Sequence, residues 1–201
     1  MEKIKLNLKK INKAQVDLAI SYFNIGKVVV YPTDTVYGLG CLATDAKAIK
    51  KIYAIKKREK NKPLLILAKN LETIKKYCFL NKKQENYIKE ARLEGKPVSF
   101  VLKKKGKLPK ELSGGKDSIA VRLPDLLKNH FLTKILEGVE GPIVSTSFNI
   151  SGKKILGDLR DLENYFKEEK PDLVIDAGII KTEPSRLVDI RDLDDIKILR
   201  K

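Results

Sequence analysis

Residues 27–40 read KVVVYPTDTVYGLG. The first five, an apolar VVVY run behind Lys27, have the look of a buried strand. That run then breaks at Pro32 into two threonines, an aspartate and a second tyrosine, and closes on Gly38-Leu39-Gly40. Hydroxyls and a carboxylate at the exit of a buried strand are either turn chemistry or the rim of a binding site. Asp34 fits both readings. A buried strand with such an exit belongs in an α/β protein, and the flanking segments agree.

On the N-terminal side, residues 13–25 place Val16, Ala19, Ile20 and Phe23 on one helical face, and Gly26 suits the helix stop. On the C-terminal side, residues 43–58 read as a helix capped by Asp45, with Ala48, Ile52 and Ile55 on one face. Residues 62–68 are a continuous apolar strand of the kind covered on both sides. Residues 71–78 and 83–92 read as helices, 97–105 and 118–124 as strands, 126–139 as a helix and 142–149 as a strand running into a polar turn. A helix over 159–169 and strands at 173–179 and 186–190 complete the pattern. Strands 97–103 and 118–123 are joined without an obvious helix, so the expected fold is α/β with a twisted mixed sheet flanked by helices. The 201 residues suggest one domain spanning 1–201.

Composition narrows the chemistry. Lys and Arg number 42 against 26 Asp and Glu, a formal charge of +16, which favours anionic partners such as nucleotides, polyphosphates or RNA. The same lysines also suit a merely solvated surface. Cys41 and Cys78 stand far apart and the sole histidine is His130, which argues against a zinc site, a disulfide framework and Ser-His or Cys-His catalysis. His130, among apolar helical neighbours, reads as structural or surface. No apolar run approaches the roughly 20 residues of a membrane helix. The N-terminus lacks a signal-peptide core, so a cytosolic location is expected.

The familiar nucleotide fingerprints are missing. There is no GxxxxGK[ST], and Ala43 stands where a dinucleotide motif needs its third glycine. LSGGKDS (112–118) suits a surface turn better than a phosphate nest. Four polar clusters do sit near predicted strand ends: Thr33-Asp34-Thr35, Lys56-Lys57-Arg58, Arg122, and Ser145-Thr146-Ser147-Phe148-Asn149. Arg122 lies inside an apolar strand and needs a partner, either an internal carboxylate or a ligand carboxylate or phosphate. Lys56 and Arg58 do not share a face on an ideal helix, but at a helix end both can converge on one anion.

In this order, YPTDTVYGLG, the Lys-x-Arg of KKREKNKPL, PVSFVL, SIAVRLPD, STSFNISG, VIDAG and PSRLVDI with the closing ILRK resemble the YrdC-like family, the threonylcarbamoyl-AMP synthases of the TsaC type. The resemblance runs from about residue 11 to the C-terminus and implies an α/β sheet curved around a basic cleft, in the short form without a further C-terminal domain. It implies condensation of L-threonine, bicarbonate or CO2 and ATP, with Mg2+, into threonylcarbamoyl-AMP and pyrophosphate. The product feeds a downstream threonylcarbamoyl-transfer complex that modifies adenosine 37 of tRNA, and tRNA or double-stranded RNA is a further implied partner.

By resemblance, Thr35, Arg122, Ser145 and Ser185 serve threonine. Lys56, Arg58, Lys62, Ser118, Ser147, Asn149 and Arg200 serve ATP, with Lys56 and Arg58 as the catalytic charges; no protein metal ligand and no general base stand out. Four departures from the family pattern bear on the site: Phe148 inside Ser-x-Asn, Ser99 for a common Thr, Arg186 after Ser185, and Leu67 where some members have His. Arg200, one residue from the end, reads as lying on a mobile tail. Two other readings fit a YrdC-like chain. One is an RNA-binding paralogue without synthase activity. The other is the carbamoyl-adenylate domain of hydrogenase-maturation carbamoyltransferases, whose acylphosphatase and zinc-finger partners are not visible here.

Overall fold

A computed structural model describes residues 1–125, 129–160, 162, 166, 168–180 and 183–201. A short strand, β1 (Glu2–Lys5), leads to helix α1 (Lys13–Asn24), whose N-cap Asn12 accepts from the Ala14 amide. Val16, Ala19 and Phe23 bury one face of α1, as the spacing requires. Gly26 follows at φ +73°, in the left-handed region that ends helices.

The opening stretch then folds into two antiparallel strands, β2 (Val29–Tyr31) and β3 (Gly38–Gly40). The polar residues between them form the connecting loop. Both glycines of β3 are there for space. A Cβ on Gly40 would stand 2.2 Å from the Val144 carbonyl oxygen, and one on Gly38 would stand 3.0 Å from Ser145 Oγ.

Helix α2 (Ala46–Lys56) is capped by Asp45, whose carboxylate accepts from the Ala48 amide. It ends at Lys57, at φ 47° and ψ 44°, the one non-glycine residue with positive φ among those described. A side chain in this region costs about 1–2 kcal/mol, and such strain tends to collect at functional sites. Lys57→Gly therefore should raise stability by about 1 kcal/mol, read as a shift in the denaturant midpoint at unchanged slope.

Strand β4 (Leu65–Leu67), helices α3 (Leu71–Tyr77) and α4 (Lys82–Leu93), and strand β5 (Val98–Lys103) follow where the pattern places them. Asn81 and Gln84 form a reciprocal capping box at the start of α4. LSGGKDS begins inside a short helix, α5 (Lys110–Ser113), closed by Gly114 in the left-handed region, and leads into β6 (Ser118–Arg122). Helix α6 (His130–Gly138) starts at the Asn129 cap; residues 126–128, where the pattern begins it, lie outside the described residues. Strands β7 (Ile143–Val144), β8 (Thr146–Ser147), β9 (Leu173–Asp176), β10 (Arg186–Asp189) and β11 (Lys197–Arg200) complete the chain. Of the helix expected over 159–169, residues 161, 163–165 and 167 lie outside the described residues.

The strands form two mixed sheets rather than one. The first has the order β1-β9-β2-β3-β8, the second β11-β10-β5-β6-β4-β7. The reason lies at Ser145. The segment expected as one strand over 142–149 pairs with β4 through Ile143 and Val144, then with β3 through Thr146 and Ser147. The Ser145 amide donates to Leu65 O on β4, and the Val144 amide to Cys41 O just past β3. One chain segment thereby stitches the two sheets at a single residue.

Two apolar clusters flank this junction. One gathers Val30, Leu39, Ile52, Phe100, Val121 and Phe148; the other gathers Phe23, Val29, Tyr31, Leu67 and Phe131. Alternation along β2 sends Val30 to the first and its neighbours Val29 and Tyr31 to the second, which is the period-2 rule at work. No helix among the described residues is long and apolar enough to cross a membrane.

Candidate active site

A cavity of about 620 Å3 opens beside the stitch between the sheets. Thr35, Arg58, Lys62, Ser118, Arg122, Ser145, Ser147, Ser185 and Arg200 all line it, drawn from segments far apart in the chain. Lys56 and Asn149 do not line it; they stand behind its wall.

At one end, the hydroxyls of the loop after β2 have a readable direction. Thr33 Oγ1 donates to Val36 O at 2.7 Å, and the Thr35 amide donates to Thr33 Oγ1 at 3.0 Å. Thr33's only hydroxyl proton is spent, so the 3.0 Å Thr33–Thr35 contact has Thr35 as donor. Thr35 Oγ1 is left with lone pairs only, an acceptor suited to the N–H of an ammonium group.

Arg122, the last residue of β6, sits opposite Leu67 of β4. Its Nη1 meets Asp34 Oδ1 at 2.9 Å, with both side chains under 5% exposed. The two atoms face each other outside hydrogen-bond alignment. Asp34 Oδ2 accepts from the Asp125 amide at 3.0 Å. Arg122 thus has the internal carboxylate partner and also lines the cavity. Asp34 is more than a turn former, since it ties the opening loop to the exit of β6.

Lys56 and Arg58 part company at the left-handed Lys57. Lys56, 1% exposed, spends its three donors on Ser147 O at 2.5 Å, Asn149 O at 2.8 Å and Asn149 Oδ1 at 3.0 Å. Burial, with the Arg58 charge adding to it, lowers its pKa to about 7, while the three oxygens act in the opposite direction. Ser147 Oγ also donates to Asn149 Oδ1, and Asn149 Nδ2 donates to Lys153 O at 2.6 Å. The Lys-x-Arg and Ser-x-Asn motifs are therefore bonded to one another. Lys56 and Asn149 build the wall, and Ser147 turns acceptor lone pairs to the cavity.

Arg58 points the other way. Its Nε and Nη2 hold Lys62 O at 3.2 Å and Pro63 O at 2.9 Å, which fixes the guanidinium on the cavity side. Burial lowers its pKa from the usual guanidinium value, against the opposing pull of Tyr53 and Glu59. Gly114, whose Cβ would stand 2.7 Å from Asn61 backbone atoms, lets the 114–118 turn close on the segment carrying Lys62. The glycine-rich turn is thus a turn, yet it delivers Lys116, Asp117 and Ser118 to the cavity.

Arg200 is no tail residue. It sits in β11 opposite Leu187, and its Nε and Nη2 hold Ser185 O at 2.9 and 2.6 Å. Burial first, and the nearby Arg122 charge second, lower its pKa. Ser185 Oγ meets Ser99 Oγ at 2.7 Å, so Ser99 braces the site from behind.

The departures fall away from the cavity. Phe148 alternates inward and stacks on Phe166 at 4.8 Å, and Leu67 is fully buried in apolar surroundings. Arg186 turns to Glu94 at 3.2 Å. His130 opens α6 on the exposed surface and does not line the cavity.

Four charged lining residues escaped the sequence reading: Lys116, Asp117, Asp189 and Arg191. A signal existed for two of them. Counting by twos from Ser185 gives Leu187, Asp189 and Arg191, all of which line the cavity, while Val188 and Ile190 pack in the core. Asp189 is held bidentately by Arg191, at 3.0 and 2.7 Å, which keeps its carboxyl below the usual range and makes it a poor base. Among the described residues no three His, Cys, Asp or Glu side chains gather as a metal cage.

Comparison with known proteins decides the lineage. The Sua5/YciO/YrdC family profile, described as Telomere recombination, matches residues 21–201. This chain belongs to the Sua5/YciO/YrdC family. Within that family it is similar to the threonylcarbamoyl-AMP synthase of Pyrococcus abyssi, 35% identical over 144 residues, which cover 72% of this chain and 41% of that relative. It is 32% identical to the threonylcarbamoyl-AMP synthase of Stutzerimonas stutzeri over 170 residues, 83% of this chain and 87% of that one. The crystal structure of P. abyssi Sua5 complexed with L-threonine superposes with a TM-score of 0.83 at 30% identity, covering 94% of this chain and 54% of that one. The chain thus spans about half of the P. abyssi protein and most of the S. stutzeri one.

Proposed function

We propose that this chain is an L-threonylcarbamoyladenylate synthase. It condenses L-threonine, bicarbonate or CO2 and ATP, and releases pyrophosphate, to supply threonylcarbamoyl-AMP for modification of adenosine 37 in tRNA. The observation that carries the reading is the convergence of nine family-matched side chains on one cavity of about 620 Å3, within the usual range for small-molecule sites.

The two ends of the cavity suit two ligands. Arg122 offers a fork to the amino acid's carboxylate, and Thr35 offers lone pairs to its ammonium. Arg58, Lys62, Lys116 and Ser118 offer cations and a hydroxyl to phosphates, with Ser147 at their side. The threonine amine adds to CO2 or bicarbonate, giving a carbamate. A carbamate oxygen then attacks the α-phosphorus in line, and the bond to pyrophosphate breaks. Attack of one anion on another needs positioning and charge neutralisation rather than a protein nucleophile. A Mg2+ carried on the ATP phosphates would add charge neutralisation at the α-phosphorus, held by the phosphates and water rather than by a carboxylate cage of this chain. Lys56 acts from behind the wall, holding the Ser147–Asn149 turn in shape.

The test is pyrophosphate release from Mg-ATP with L-threonine and bicarbonate omitted in turn. Release should need both. Release indifferent to threonine would overturn the reading. An absence of release with salt-sensitive RNA binding would move the chain to the RNA-binding class suggested by its +16 charge.

A further inference from the structure

Arg122 lines two cavities. Its guanidinium borders the large one, and it also borders a second, of about 410 Å3, lined by Asp34, Lys89, Arg92 and Lys96. Asp34 lines the second cavity and not the first. The carboxylate therefore stands behind the arginine, on the side away from the ligand site, at 2.9 Å and buried with it. The three other cations on the second cavity are exposed and screened by water, Asp125 lines it as well, and Arg200 faces Arg122 from the ligand side, so Asp34 is the charge in direct contact with the guanidinium.

We infer that Asp34 is a positioning and specificity residue: it offsets the Arg122 charge from behind and biases the amino-acid end toward a zwitterion over a plain monoanion. This rests on the assignment of that end to L-threonine. Three observations converge on it. Asp34 meets Arg122 at Nη1, a nitrogen buried away from the ligand cavity, so the pair offsets charge without competing for the part of the guanidinium that borders that cavity. Thr35 places acceptor lone pairs where the ligand's ammonium would lie. The Asp125 amide on Oδ2 fixes the carboxylate, so the counter-charge cannot swing into the ligand cavity. With Arg200 also facing this end, the Asp34 charge lowers the positive field on the ligand by one unit, which favours a ligand of opposite-signed ends over a plain monoanion. A site with a bare arginine favours a plain monoanion instead.

The experiment compares the chain and its Asp34→Asn variant by calorimetry. The ligands are L-threonine, 3-hydroxybutyrate (threonine's skeleton without the ammonium), inorganic phosphate and Mg-ATP. Asparagine keeps the shape and the acceptor for the Asp125 amide and removes only the charge. The expected result is a shift of at least tenfold in the ratio of dissociation constants, toward 3-hydroxybutyrate and phosphate and away from L-threonine. Mg-ATP affinity should stay within about twofold. A ratio unchanged within twofold overturns the inference. If Asp34→Asn alone fails to fold, Asp34→Asn with Arg122→Met removes the stranded charge. That double variant should fold and lose the zwitterion and the monoanion alike; retained threonine binding there also overturns it. If the unaltered chain binds no L-threonine, the synthase reading fails, a result separate from an unchanged ratio.

Discussion

Arg58→Ala is expected to lower the rate of ATP-dependent pyrophosphate release by about 10²–10³, the usual loss for one preorganised charge contact. The effect should be in kcat/KM for ATP, with L-threonine affinity and thermal midpoint nearly unchanged. Two main-chain carbonyls, Lys62 O and Pro63 O, hold the guanidinium on the cavity side before any ligand arrives. The side chain is only half-buried and packs no core, so its removal leaves the fold intact. Arg58→Lys should recover little, because an ammonium cannot hold two carbonyls and still present a fork to phosphate. Steady-state kinetics with thermal unfolding decides the matter. Full activity in the alanine variant would remove Arg58 from the phosphate site.

Lys56→Met has a different signature. Methionine matches the carbon stem of the lysine but strands Ser147 O and Asn149 O in a buried wall, and leaves Asn149 Oδ1 with Ser147 Oγ alone. Leaving buried acceptors without donors costs about 1–3 kcal/mol each when nothing relaxes. A total of about 3 kcal/mol lowers the thermal midpoint by about 6–12 °C for a chain of this size. ATP binding should weaken as the Ser147 turn loosens. The two variants divide the labour of Lys-x-Arg: activity falls without stability at Arg58, and with it at Lys56. A Lys56→Met protein that lost activity at an unchanged midpoint would show instead a lysine touching phosphate directly.

The α/β class, most helices and the strands at 29–31, 65–67, 98–103 and 118–122 were legible because their apolar patterns are continuous and their caps conventional. Three strands escaped. Residues 2–5 and 197–200 are lysine- and arginine-flanked edge segments with no buried stripe, and 38–40 is glycine-rich, so neither pattern nor propensity marks them. The split at Ser145 was hidden because pairing partners, not local sequence, decide which sheet a strand joins. Most candidate site residues could be placed because strand ends face the cavity. The fates of Lys56 and Arg58 could not, because they depend on one left-handed residue, Lys57, that carries a side chain where glycine is usual. Phe148, a departure within Ser-x-Asn, does not line the cavity because alternation turns it into the core, where it stacks on Phe166.

The stitch at Ser145 constrains how this surface can change over time. A loop can absorb an added or lost residue; this segment cannot. Sliding it by one position would bring Phe148 to the place of Ser147 and break the pairing with both β4 and β3. Insertions and deletions are therefore barred between 143 and 147, while point substitutions that keep the alternation remain open. Deep insertion scanning should show a sharp gap there, and new specificities in this lineage would arise by side-chain exchange on a segment of fixed length.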